Sequence, residues 1–336
     1  MTAEQTPLPA GVVDAVVTWV DGADPAHARK RAKMLDQGVA LASSTIPAGV
    51  DGTRFEDNNE IEYCLRSIRR FAPWVRTIFL VTDEQRPRFL TEELRLRLGV
   101  QVVDHRHIFA GHEDVLPTFN SLSIETALHR IPGLAAQYVY LNDDFILMAP
   151  TRVEDFFTAD GEVVLRGGWQ ALRAYGPTRL SLSKLLNRVL KSALGINRAM
   201  SVLQQMRGAE QAGAFRRFFK VSHAPYPLRK STLEQYFEAH PDVFARNIAD
   251  RFRSLDQYAV TSLANQLEIA RGQADLRAAD DVLMVCFNRD SRTEIQRKIE
   301  RVRRNDVRFL CVQSLEQASE EDRQALKEGI ERAIGM

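Results

Sequence analysis

An α/β fold is what this sequence predicts: a mostly parallel sheet with flanking helices and an inserted basic helical subdomain. Three observations lead there. Short β-branched runs recur, stretches of helical period separate the early ones, and one segment departs from the rest in charge. The runs are Val12 to Val20, Thr77 to Thr82, Val100 to Asp104, Tyr138 to Leu141, Val163 to Leu165, Val282 to Phe287 and Val307 to Val312. Between them Ile61, Leu65 and Ile68, then Leu122, Ala127, Leu128 and Ile131, repeat as the apolar faces of helices laid on a sheet. Residues 170–220 hold ten Lys or Arg against one acid, Glu210, in a chain whose net charge is +1. Within them Lys184, Arg188 and Lys191 share one helical face, opposite Leu182, Leu185, Leu186, Val189 and Leu190. The expected organisation is a main domain over 10–313 carrying this insert, followed by an acidic amphipathic helix over 314–336.

A chain of 336 residues, 45% of them apolar, can bury a large core. Basic and acidic residues nearly balance, 45 against 44, so no overall field favours nucleic acid and any anionic ligand must meet a local patch. Cys64, Cys286 and Cys311 lack CxxC spacing and lie in apolar stretches, which reads as reduced, buried thiols. His105, His107 and His112 fit no zinc signature. The amino-terminal MTAEQTPLPAG has neither a basic n-region nor an apolar h-region, and no run approaches the roughly 18 apolar residues of a membrane span. A cytoplasmic location is expected, with peripheral association at the inner face of the plasma membrane as its variant.

Ligands of open α/β sheets bind beyond the carboxyl ends of the strands, so the residues just after each run carry the functional weight. Trp19, Asp21 and Gly22 follow the first run, Thr82 and Asp83 the second, Asp104 and His105 the third, and Asn142, Asp143 and Asp144 the fourth. Asp143 and Asp144 are the strongest signal, since paired carboxylates at a strand end can hold Mg²⁺ or Mn²⁺ with positions left for phosphate oxygens. The same turn also serves as a plain hydrogen-bonded loop. Arg54, Asp57 and Asn58 stand before a helix that carries Arg66, a setting for phosphate or ribose and equally for simple capping. Asn120 or Ser121 opens another helix in the same way, one that continues through Glu125 and His129. His223 lies between a basic segment and two prolines, and Arg253 can clamp phosphate or pair with Asp250 or Asp256.

Taken in order, these segments resemble the four conserved regions of the Stealth family of phosphotransferases. The matching stretches are DAVVTWVDGADP from Asp14, the long second stretch from Arg54 to Phe145 that ends in YVYLNDDF, HAPYPLRKSTLEQYF with RFRS between His223 and Ser254, and VCFNRD at 285–290. The resemblance implies a Rossmann-like or GT-A-like nucleotide-sugar fold, a UDP-sugar donor, most familiarly UDP-N-acetylglucosamine, and a divalent metal. It implies transfer of sugar 1-phosphate to a hydroxyl of a glycan or polysaccharide acceptor, with release of UMP, in capsule or exopolysaccharide synthesis. It places Asp14, Trp19, Val20 and Gly22 in the nucleotide-sugar pocket, makes Asp143 and Asp144 active-site carboxylates, and makes His223 and Arg253 the histidine and arginine of the third region.

Two departures stand out. Arg289 separates Asn288 from Asp290 where the family more often sets Asn beside Asp, so either residue is the candidate for the fourth-region role beside the metal. The basic segment matches no conserved region, and an anionic acceptor or membrane surface is its expected partner. Two other functions remain open at this point: a metal-dependent glycosyltransferase releasing UDP, and a non-catalytic nucleotide-sugar-binding protein.

Overall fold

The computed structural model describes residues 11–36, 59–172, 197–254 and 256–336. Its main sheet is built around β1 (Val13–Thr18), whose residues from Val13 to Val17 are all buried, as expected of a strand covered on both faces. β1 lies parallel between β2 (Val75–Thr82) and β4 (Gln137–Asn142), and β3 (Val100–Asp104) lies parallel outside β2. β8 (Tyr226–Arg229) closes the other edge antiparallel to β4, giving the order β3-β2-β1-β4-β8.

The helix Glu60–Phe71 buries Ile61, Leu65 and Ile68, the periodic residues seen in the sequence, together with Phe71. The next helix, Glu92–Leu98, starts on Thr91, whose side chain accepts from the Leu94 amide, and stops at Gly99. There φ is 64° and the glycine amide returns to the Arg95 and Leu96 carbonyls, a left-handed C-cap that glycine adopts at least cost.

Two smaller sheets complete the α/β architecture, where the sequence pointed to one. β10 (Val282–Cys286) and β11 (Phe309–Gln313) run parallel, and β5 (Phe145–Leu147) adds antiparallel to β11. β6 (Val163–Ala171) is paired with β7 (Arg217–Val221) and β9 (Ala274–Arg277). Only Asp143 and Asp144 separate β4 from β5, so the chain passes from the first sheet into the second on its acidic turn.

Both ends of the segment 170–220 are therefore strands of a sheet, not parts of a helical insert. Lys184, Arg188 and Lys191 lie outside the described residues, and so do Arg54, Asp57 and Asn58. The helix Asn197–Gln211 packs against Val260–Ala270, with Gly208 so close that an added Cβ would lie 2.5 Å from the Ala259 carbonyl oxygen. At the carboxyl end, Glu320–Ile334 buries Leu326, Ile330 and Ile334 beside the helices Arg292–Arg303 and Glu60–Phe71, and Tyr63 Oη donates to Glu331 at 2.8 Å. Among the described residues no helix is long and apolar enough to cross a membrane.

Candidate active site

β4 ends on a polar network. Tyr140 Oη donates to Asn142 Oδ1 at 2.6 Å and lies 3.1 Å from Thr18 Oγ1 at the end of β1. Ser121 and Glu125, one turn apart on the helix Ser121–Ala127, reach the same place. Arg253 donates to Ser121 Oγ, and Glu125 interacts with Arg253, Ser121 and Tyr140. Burial pushes the Glu125 carboxyl up to about 7, with Arg253 and the two hydroxyls opposing the rise. Burial lowers the pKa of Arg253, and the carboxylate of Glu125 opposes the fall.

Asp144 occupies the turn beyond. Its Oδ2 accepts from Cys311 Sγ at 3.6 Å, its backbone carbonyl accepts from Val312 N at 3.0 Å, and Gln313 also bonds its carboxylate. Oδ1 is buried with no hydrogen-bond partner. Burial first, and the negative charge of Glu60 second, push the Asp144 carboxyl up to about 7. A carboxylate with one oxygen buried and without a hydrogen-bond partner fits a bound Mg²⁺ or Mn²⁺, with Asp143 beside it. Among the described residues no group of three or more His, Cys, Asp or Glu side chains forms a metal-binding set, so water and phosphate oxygens would complete the coordination of such an ion.

His223 enters from the turn between β7 and β8. Burial, then the charges of Lys220 and Arg289, lower its pKa to about 4, which leaves a neutral imidazole at neutral pH, and its Nδ1 is buried without a partner. Tyr226 packs against Tyr140 and Phe145, on either side of the acidic turn, and its hydroxyl is raised by burial and by the negative charges of Glu125 and Asp144. All three cysteines are free and buried, and each contacts this edge: Cys64 Sγ lies 3.7 Å from the Asn142 carbonyl oxygen, Cys286 Sγ 3.0 Å from Asn288 Oδ1, and Cys311 touches Asp144.

Other candidates lie elsewhere or are engaged. Asp14 sits at the opposite end of β1, roughly 13 Å along the strand from Thr18 at about 3.3 Å per residue. Its carboxylate accepts from Arg76 Nε and Nη2 at 2.8 and 2.5 Å and from the amides of Thr77 and Ala135 at 3.2 and 2.8 Å, which makes it a staple across β1, β2 and the approach to β4 rather than a pocket residue. Trp19 is buried after β1 with Nε1 unpaired, Val20 packs near Phe119 and Phe252, and Gly22 lies in the following turn. Asp21, next to it, is tied to Gln85 by two hydrogen bonds.

Asn120 caps its helix by accepting from Leu122 N and donates to the Asp250 carbonyl and to Gln257 Oε1, so it positions the loop that carries Arg253. Arg66 pairs with Glu62 on its own helix. Asp290 is held by Lys298 at 2.5 Å, by Cys286 N at 2.9 Å and by Arg289 at 3.3 Å, and Asn288 by the Cys286 thiol. The fourth-region acid is thus neutralised by its own neighbours.

The fold is α/β, with its acidic turn at the carboxyl end of β4 and His223 in the turn that leads into β8, the strand beside β4. Residues 11–38 match Stealth protein conserved region 1, and residues 54–165 match conserved region 2. The capsular polysaccharide phosphotransferase WcwK of Streptococcus pneumoniae is 32% identical over 275 residues, 78% of this chain and 79% of that protein. The chain belongs to the Stealth family. An exopolysaccharide phosphotransferase of Streptomyces coelicolor is 37% identical over 250 residues, which are 74% of this chain but 24% of that protein, so the chain spans about a quarter of that relative's length. Mouse xyloside xylosyltransferase 1 superposes with a TM-score of 0.41 at 11% identity, over 89% of this chain and 97% of that one.

Proposed function

We propose that the protein transfers sugar 1-phosphate, N-acetylglucosamine 1-phosphate in the first instance, from a UDP-sugar to a polysaccharide hydroxyl in capsule or exopolysaccharide synthesis, with release of UMP. The observation that supports this reading is Asp144 Oδ1, buried without a hydrogen-bond partner in the turn that ends β4, the strand whose Tyr140 shares a polar network with Glu125 and Arg253. In a UDP-sugar the sugar hangs on the β-phosphorus. The acceptor oxygen bonds to that phosphorus, the bond from it to the bridging oxygen breaks, and the electron pair leaves with UMP. The anomeric bond is untouched. Such a step depends on placement and charge neutralisation more than on covalent help.

In this scheme Asp143 and Asp144 hold Mg²⁺ or Mn²⁺, which supplies positive charge to the diphosphate oxygens when bound. Arg253, fixed by Ser121 and Glu125, donates to an oxygen of the transferring phosphoryl group. His223, neutral because of its burial, takes the proton of the acceptor hydroxyl. The likeness to capsular and exopolysaccharide phosphotransferases supports a polysaccharide as acceptor.

Identifying the nucleotide released from UDP-sugars in the presence of Mg²⁺ and polysaccharide acceptors tests the reading. UMP is expected. Release of UDP would instead mark glycosyl transfer, and tight UDP-sugar binding with no turnover across metals and acceptors would mark a binding protein.

A further inference from the structure

Asp144 is held from one side by a single strand, β11. The ladder between β11 and β5 pairs Cys311 with Phe145, the residue that follows Asp144. Val312 N donates to the Asp144 carbonyl oxygen at 3.0 Å, and Cys311 Sγ donates to Asp144 Oδ2 at 3.6 Å. Gln313, two residues beyond Cys311 and so on the same face of the strand, bonds the carboxylate as well. β11 is itself fixed, since residues 309–312 are buried and the strand pairs along its other edge with β10.

The terminal torsion of an aspartate is broad, so the backbone alone does not choose the plane of its carboxylate. A donor on one of the two oxygens does. Cys311 is fully buried, and it is the one side chain of the buried run 309–312 that carries a donor. An aliphatic residue there would fill the same core and leave Oδ2 free to exchange places with Oδ1. With Oδ2 engaged, Oδ1 is the oxygen that stays buried without a hydrogen-bond partner.

We propose that Cys311 is a positioning residue for the metal: its thiol, assisted by Gln313, holds Asp144 Oδ2 so that Oδ1 is the oxygen offered to Mg²⁺ or Mn²⁺. This rests on the assignment of Asp143 and Asp144 to the ion in the phosphotransfer reading above. The thiol binds neither the ion nor the sugar nucleotide. It acts through Asp144 alone, as donors behind a metal-bound carboxylate do when they fix its orientation.

Titration of Mn²⁺ into the protein, without and with UDP, followed by the electron paramagnetic resonance signal of the free ion, measures the site without turnover. The wild type should bind the ion, and Asp144→Asn should lose it. Cys311→Ala should bind it about 10- to 100-fold more weakly, and Cys311→Ser, which keeps a donor, should return to within about threefold of the wild type. A thiol that only fills space would move the thermal midpoints of both variants and leave Mn²⁺ binding alone. If Cys311→Ala does not fold, Gln313→Leu, at a half-buried position, takes its place in the comparison. Binding by that variant equal to the wild type's, or a loss as large in Cys311→Ser, overturns the inference while the metal assignment stands. Absence of Mn²⁺ binding by the wild type, or equal binding by Asp144→Asn, defeats the metal assignment and the inference with it.

Discussion

Glu125 lies one turn from Ser121 on a short helix, close to the half-buried Arg253 that it stabilises. Its carboxyl in the folded chain is raised from an ordinary value near 4.5 to about 7. Between those values the unfolded chain loses the proton first, so this group makes the wild type less stable as pH rises. Glu125→Gln should therefore be more stable than the wild type above pH 7, on the order of 1 kcal/mol, with the gap closing as pH falls towards 4. Denaturant melts across that range measure it, and turnover should meanwhile fall about tenfold through a loosened Arg253. For His223→Ala the expected loss in turnover is about 10²- to 10⁴-fold with little change in UDP-sugar affinity. Near-normal kcat would remove His223 from the chemistry.

At the scale of elements, Asp14 behaves as a joint of the sheet. Asp14→Ala leaves Arg76 and two amides without their acceptor, and should cost about 3 kcal/mol in unfolding free energy while UDP-sugar affinity is unchanged in the folded fraction. The direction of the strand was already legible: a residue third in the run from Val12 lies at its amino end, away from where ligands bind. The acidic turn, the arginine loop and the helix faces were legible for a related reason, since each is announced by residues adjacent in sequence. Glu125 had a weaker signal, its spacing of one turn from Ser121. Lys220 and Arg289 had none, because β6 pairing with β7 and the turn after β10 bring them to His223 from distant parts of the chain. β5, β7, β8 and β9 are three to five residues long, too short for a period to register.

Over the whole molecule, the helix Glu320–Ile334 touches one helix of the main sheet and one of the second sheet. Ending the chain at Ala318 would uncover the sites of Leu326, Ile330 and Ile334, a loss of about 5 kcal/mol at about 1.5–3 kcal/mol for each buried side chain. The thermal midpoint should drop sharply, and an unchanged midpoint would show that the helix contributes nothing to holding the sheets together.

The passage of the chain from β4 to β5 across Asp143 and Asp144 has a mechanical consequence. Each flank is anchored by a ladder belonging to a different sheet, so these two residues sit like a hinge pin between separately fixed plates. Any sliding of one plate over the other, from an ill-fitting core substitution far away, would reach the pin before it reached the solvent-facing loops.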